Sequence, residues 1–153
     1  MNKPNLVLTV QKSEPWRGLP TKNDIYRWID ASLLEDAQVT VRLINEDEGV
    51  EMNHYFRNRN YATNVLTFPY PDTSPLSADI ALCVPVIKEE AKIQHKSLRN
   101  HFAHLCVHAT LHFQDFDHQK KIDRELMENL EIDILEKMGI PNPYEQMIAQ
   151  HQT

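Results

Sequence analysis

Short β-branched and apolar runs alternate with stretches of helical period along this chain, and that alternation restricts its fold more than any other feature. Asn5 to Val10 reads as a strand, and Pro15, Gly18 and Pro20 then break the chain. Thr21 with Asp24 matches a helix N-cap pattern, and Ile25, Trp28, Ile29 and Leu33 follow at helical spacing, so a helix is predicted over about 21–34. Val39, Val41 and Leu43 alternate with Thr40, Arg42 and Ile44 as a second strand. Asn45 caps a helix running to about Arg57, with Glu46, Asp47 and Glu48 in the first turn, where free N–H groups favour negative charge. A polar connector, 58–64, leads to a short strand, Val65 to Phe68, ended by Pro69. Pro69, Pro71 and Pro75 make 69–75 a loop. Asp79 to Val84 is a further strand, and Pro85 opens a helix, since a first turn does not need its missing N–H. Long helices follow over about 97–114 and 120–138. The last has Leu126, Leu130, Ile134 and Met138 on one stripe and ends at Gly139 and Pro141. The predicted class is α+β: a small mixed β-sheet packed with several helices, in a single domain over 1–153.

At 153 residues the chain can bury one sizeable core. No apolar run approaches the roughly 20 residues of a membrane span. The N-terminus lacks the apolar stretch and cleavage site of a signal peptide, so a cytoplasmic protein is expected. Cys83 and Cys106 cannot make a disulfide framework and suit buried thiols in a reducing compartment. The net charge of −6 excludes a basic coat for nucleic acid. Six acidic side chains against one basic fall in 125–153, so a local basic surface elsewhere is still open.

Histidine is distributed unevenly. Six of the eight (His95, His101, His104, His108, His112 and His118) lie within 24 residues. His108 and His112 are four apart, which on a helix puts both on one face, about 5–6 Å apart at Cβ. Two imidazoles there can converge on one ion. Gln114-Asp115-Phe116-Asp117 then suits a turn that returns His118 as a third. His104 competes for the role, but about 12 Å of helical rise separates it from His112, so the pair is 104/108 or 108/112. The short turn to His118 favours 108/112. His101 and His104 are then non-ligands, and His54 and His95 surface residues. Three neutral imidazoles leave a dication with full charge and an open position, the arrangement of a catalytic zinc site. A zinc peptidase places a glutamate after its first helical histidine as general base; here that residue is Ala109. Asp115, Asp117 or the ion acting alone would have to serve.

The connector is the second informative stretch. Arg57 and Arg59 can hold phosphate through parallel N–H bonds. Tyr55, Phe56 and Tyr61 beside them could stack on bases, although composition alone favours Tyr55 and Phe56 as core residues and the arginines as solvation of a helix end. Lys88, Lys92, Lys96 and Arg99 recur near helical spacing and read as a solvated face.

His108-Ala-Thr-Leu-His112-Phe-Gln-Asp-Phe-Asp117-His118 resembles the His-Gly-x-Leu-His-Leu-x-Gly-Tyr-Asp-His pattern of the YbeY family of bacterial endoribonucleases. Met52-Asn53-His54-Tyr55-Phe56-Arg57 and Thr63-Asn64-Val65-Leu66-Thr67-Phe68-Pro69 resemble that family's Leu-Asn-x-x-Tyr-Arg and Thr-Asp-Val-Leu-Ser-Phe-Pro blocks. Ala78-Asp79-Ile80 resembles its Gly-Asp-Ile. The resemblance implies an α+β domain with zinc on His108, His112 and His118, and Arg57 as a residue important for activity. It implies cleavage of single-stranded RNA, with a role in 16S rRNA 3′-end maturation and ribosome quality control, and hence rRNA and the ribosome or its small subunit as partners. Ala109 and Asp115 replace family glycines, and Asn64 replaces a family aspartate. Two other readings fit the same residues: a ribosome-assembly binding factor with a structural metal, and a non-nuclease zinc hydrolase such as a peptidase or amidase.

Overall fold

The alternation of Val39, Val41 and Leu43 with Thr40 and Arg42 sets the architecture. In the computed structural model, which describes residues 3–114 and 121–145, these residues lie in β2 (Ala37–Ile44). Strands β1 (Leu6–Lys12) and β4 (Leu76–Cys83) flank β2, both parallel to it. Strand β3 (Val65–Tyr70) runs antiparallel along the outer side of β4, which gives a mixed sheet of order β1-β2-β4-β3. The helices among the described residues are α1 (Lys22–Asp30), α2 (Glu46–Arg57), α3 (Val84–Ile93), α4 (Leu98–Phe113) and α5 (Lys121–Lys137). The α+β expectation holds.

Period-2 alternation sends Leu6, Leu8, Val39, Val41, Leu43, Ile80 and Leu82 to one face of the sheet. There they form a core with Ile25, Trp28 and Ile29 of α1 and with the buried face of α4. Helix α2 serves a smaller cluster, in which Met52 packs on Ile44, Leu66, Ala81 and Cys83. Helix starts follow the sequence signals. Thr21 and Asp24 form a reciprocal capping box, with N···O distances of 3.0 and 3.1 Å. Asn45 and Ser97 accept from the backbone N–H groups of Glu48 (2.9 Å) and Asn100 (3.0 Å). Cys83 and Cys106 are buried free thiols, and burial pushes the Cys106 thiol up to about 12. Among the described residues, no helix is long and apolar enough to cross a membrane.

Several extents differ from expectation, among them β4, which begins at Leu76 and not at Asp79. Strand β3 does not stop at Phe68; it continues through Pro69, opposite Ala78, to Tyr70, opposite Ser77. An edge strand tolerates a residue without an N–H, and β3 is an edge strand. Helix α1 ends at Asp30, although Leu33 stays buried. There the Ser32 hydroxyl donates to the Trp28 carbonyl at 2.9 Å, a local bond that competes with the helix ladder. On α5 the expected stripe holds except at its start: Leu130, Ile134 and Met138 pack on the core. Met127, Glu131 and Leu135 are its buried line, whereas Leu126 is 52% exposed.

Candidate metal centre

From His101 to Phe113, α4 is buried at every position except His104, His108 and His112. A helix apolar on nearly all sides belongs in an interior. Here the spacing of four leaves one line of imidazoles as its only partly open edge. The His108 and His112 rings are 6.4 Å apart and nearly parallel, at 3°. Both line a cavity of about 550 Å³. Ala109 is fully buried, so no acid–base side chain stands beside His108 in the chain.

The other walls come from the end of α2, the connector and β3: Phe56, Arg57 and residues 63–68. Arg57 is the last residue of α2 and is exposed. Asn58 next to it takes the left-handed conformation (φ 55°), which asparagine tolerates, and this turns the chain back toward β3. Asn53, fully buried, donates its amide to the Tyr61 carbonyl at 2.7 Å and ties the connector to α2. Gly49 lets α2 approach closely: a Cβ there would lie 3.0 Å from Cys83 Sγ and 3.2 Å from Ala62 Cβ. These contacts aim the C-terminal end of α2 at the histidine line.

Behind the line sits Glu131, with no exposed surface. Its Oε1 accepts from Nδ1 of His108, and its Oε2 accepts from the Tyr144 hydroxyl. His104 Nε2 lies 3.2 Å from the same Oε2 and 3.3 Å from the Tyr144 hydroxyl. Burial opposes ionisation of Glu131, but the hydrogen bonds from His104 and His108 outweigh it and hold the carboxyl down at about 2. Burial lowers the pKa of His104 and raises that of Tyr144. His104, His108 and Glu131 each offer a ligand atom within 4.8 Å of the others and could hold an ion themselves. His104, expected to be a non-ligand, thus shares a carboxylate with His108. The donors fit a divalent metal: with Nδ1 of His108 engaged, Nε2 is its remaining ligand atom.

The family model for endoribonuclease YbeY matches residues 19–139. The chain belongs to the YbeY endoribonuclease family. Endoribonuclease YbeY of Ralstonia nicotianae is 47% identical over 146 residues, covering 91% of this chain and 78% of that protein. The Aromatoleum aromaticum protein of the same name is 49% identical over 142 residues, covering 91% and 92%. The solution structure of TM1509 from Thermotoga maritima shares the fold, with a TM-score of 0.55 at 23% identity over 86% of this chain and 91% of that one.

Set against the YbeY sequence blocks, Asn64 has a local explanation. Its amide nitrogen donates to both oxygens of Glu90, at 3.0 and 3.3 Å, and its own oxygen accepts from Val65 N at 2.6 Å. Glu90 also pairs with Nε2 of the buried His101 at 2.9 Å. Burial disfavours the charged Glu90, yet the bonds from His101 and Asn64 lower its pKa. An aspartate at 64 would set a second carboxylate against the first. Asn64→Asp is therefore expected to cost about 1–2 kcal/mol at neutral pH. The deficit shrinks as pH falls, because protonating either carboxyl relieves the repulsion. Melting temperature measured against pH checks this; a pH-independent deficit would contradict it.

Of the expected ligands, His108 and His112 share the cavity wall, whereas His118 lies outside the described residues, as do Asp115 and Asp117. His54 and His95 are exposed, as expected. Tyr55, Phe56 and Tyr61 are not core residues: they are 81%, 56% and 57% exposed. Phe56 packs on Phe68 at 4.6 Å and on Tyr55 at 4.8 Å, forming an open aromatic rim beside Arg57. Arg99 pairs with Asp24 at 2.8 Å and covers the Trp28 ring, so part of the basic helical stretch is structural. The sequence patterns described above do not include Glu131, Glu90 or Tyr144. One signal for Glu131 existed: it stands between Met127 and Leu135 on an i, i+4, i+8 line, an acid in an apolar stripe.

Proposed function

We propose that this protein is a zinc-dependent endoribonuclease that cuts single-stranded RNA, acting in 16S rRNA 3′-end maturation and ribosome quality control. The observation that carries the reading is one cavity lined by His108, His112 and Arg57, in a chain of the YbeY family. His108, His112 and His118 hold the ion, within one domain spanning 1–153. When bound, the ion polarises a phosphoryl oxygen and lowers the pKa of water to about 7. Arg57 holds a phosphate through its guanidinium fork and offsets charge that builds on it. The exposed rings of Tyr55, Phe56 and Tyr61 stack on bases of an unpaired strand, which favours single-stranded substrates. A duplex keeps its bases stacked on one another.

The net charge of −6 speaks against tight binding to free RNA. Backbone affinity then rests on local cations and weakens as salt rises. Recruitment through the ribosome or its small subunit, in the cytoplasm, supplies what the surface lacks. A peptidase is disfavoured because Ala109 replaces the general base.

Metal analysis joined to a cleavage assay tests the reading. The purified protein is expected to carry near-stoichiometric zinc and to cut single-stranded but not double-stranded RNA. Chelation removes the activity and zinc restores it. Cleavage that is indifferent to chelation, or a protein that takes up no zinc, overturns the proposal.

A further inference from the structure

Glu131 is a carboxylate with no access to water, an expensive group to bury unless something uses it. Its surroundings leave it no freedom. Nδ1 of His108 meets one oxygen, and the Tyr144 hydroxyl and Nε2 of His104 meet the other. We propose that Glu131 is the positioning residue of the metal centre: it fixes His108 with the proton on Nδ1, so that Nε2 is presented to the ion, and His104 and Tyr144 hold the carboxylate in turn. This rests on the reading of His108 as a ligand.

The argument is one of donors and acceptors. A neutral imidazole has one N–H and one lone pair. An ionised carboxylate can only accept, so the nitrogen facing Glu131 must carry the hydrogen. That assigns the lone pair to the other nitrogen, Nε2. The ring is held by the buried Glu131 of α5, which does not line the cavity, while His108 and its neighbour His112 share the cavity wall. A carboxylate in this position also makes the imidazole more basic, hence a stronger ligand. Tyr144 and His104 are needed because one hydrogen bond does not compensate for a buried charge. Each comes from a different place: His104 one turn before His108 on α4, Tyr144 from the segment after α5. The three side chains thus couple packing of α5 and the following segment to the orientation of a single ring.

The rival arrangement puts the ion between His104, His108 and Glu131. It would require Glu131 to release the His108 N–H, and it would leave the Tyr144 hydroxyl facing a metal-bound group. The two arrangements separate experimentally. In metal-free parent protein, nitrogen-15 NMR of the imidazole rings is expected to show His108 with its proton on Nδ1 and not on Nε2. Glu131→Gln is expected to stay folded by circular dichroism and to bind zinc roughly 10- to 100-fold more weakly in a competition titration. His104→Ala should weaken zinc binding no more than that. Protonation of His108 on Nε2 in the parent overturns the proposal, as does unchanged zinc affinity in folded Glu131→Gln. Loss of all zinc binding in His104→Ala, as severe as in His112→Ala, overturns it in favour of the rival. The ring measurement needs no metal. A parent protein that shows the Nδ1 proton yet binds no zinc would therefore sink the ligand reading separately.

Discussion

His112→Ala is expected to remove zinc from the purified protein and to reduce RNA cleavage on the order of 1,000-fold, while leaving the fold intact. The magnitude follows from the chemistry at stake. A bound dication contributes several kcal/mol of transition-state stabilisation, and about 4 kcal/mol corresponds to a factor near 1,000. The fold should survive because His112 is only partly buried and sits on the open line of α4, not in its packed face. The informative control is His101→Ala. His101 is on the same helix but is 3% exposed, pairs with Glu90 and does not itself line the cavity. Its removal should lower the melting temperature and leave metal content unchanged. Inductively coupled plasma analysis, thermal melts and a cleavage time course on the two variants decide the matter. Stoichiometric zinc retained in His112→Ala would move the ion elsewhere, to His104 and Glu131 before any other group.

How far the site was legible in the sequence depended on whether its parts were local. His108 and His112 were found because four residues on a helix place them together, and nothing beyond that helix is needed to know it. Caps at Thr21 and Asn45 are equally local, and α1 and α2 begin where those residues put them. The sheet order, by contrast, depends on which strands pair across long separations, and the period-2 pattern does not specify that. It also does not show that β3 can run through Pro69, because an edge position becomes visible only once the order β1-β2-β4-β3 is known. Glu131 was hidden for a related reason. Its role depends on α5 packing against α4, and Leu130 and Ile134, which pack on the core from the same face, carry the helical period without it. Tyr55 and Phe56 failed in the opposite sense. Aromatic residues near a helix end usually read as core, but Asn53, Met52 and Gly49 already provide the packed side of α2, and the rings are left outside.

Arg57→Ala should lower single-stranded RNA cleavage by roughly 100- to 1,000-fold, the cost of removing a preorganised partner for transition-state charge. Zinc content should not change, because Arg57 is not a ligand type and reaches the cavity from α2, on a different wall from the histidines. Stability should move by no more than about 0.5 kcal/mol, as for most exposed positions. Those three readouts separate a residue that handles substrate from one that holds the site together. Arg57→Lys sharpens the test. Lysine keeps the charge but offers a point donor where arginine offers a planar fork. If the guanidinium grips a phosphate through two parallel bonds, lysine should recover only a small part of the rate. Near-full recovery would reduce the contribution of Arg57 to field alone. A fall in melting temperature or zinc content in Arg57→Ala would instead make it part of the scaffold that seats α2 beside the cleft, and the assignment of a phosphate to it would fail.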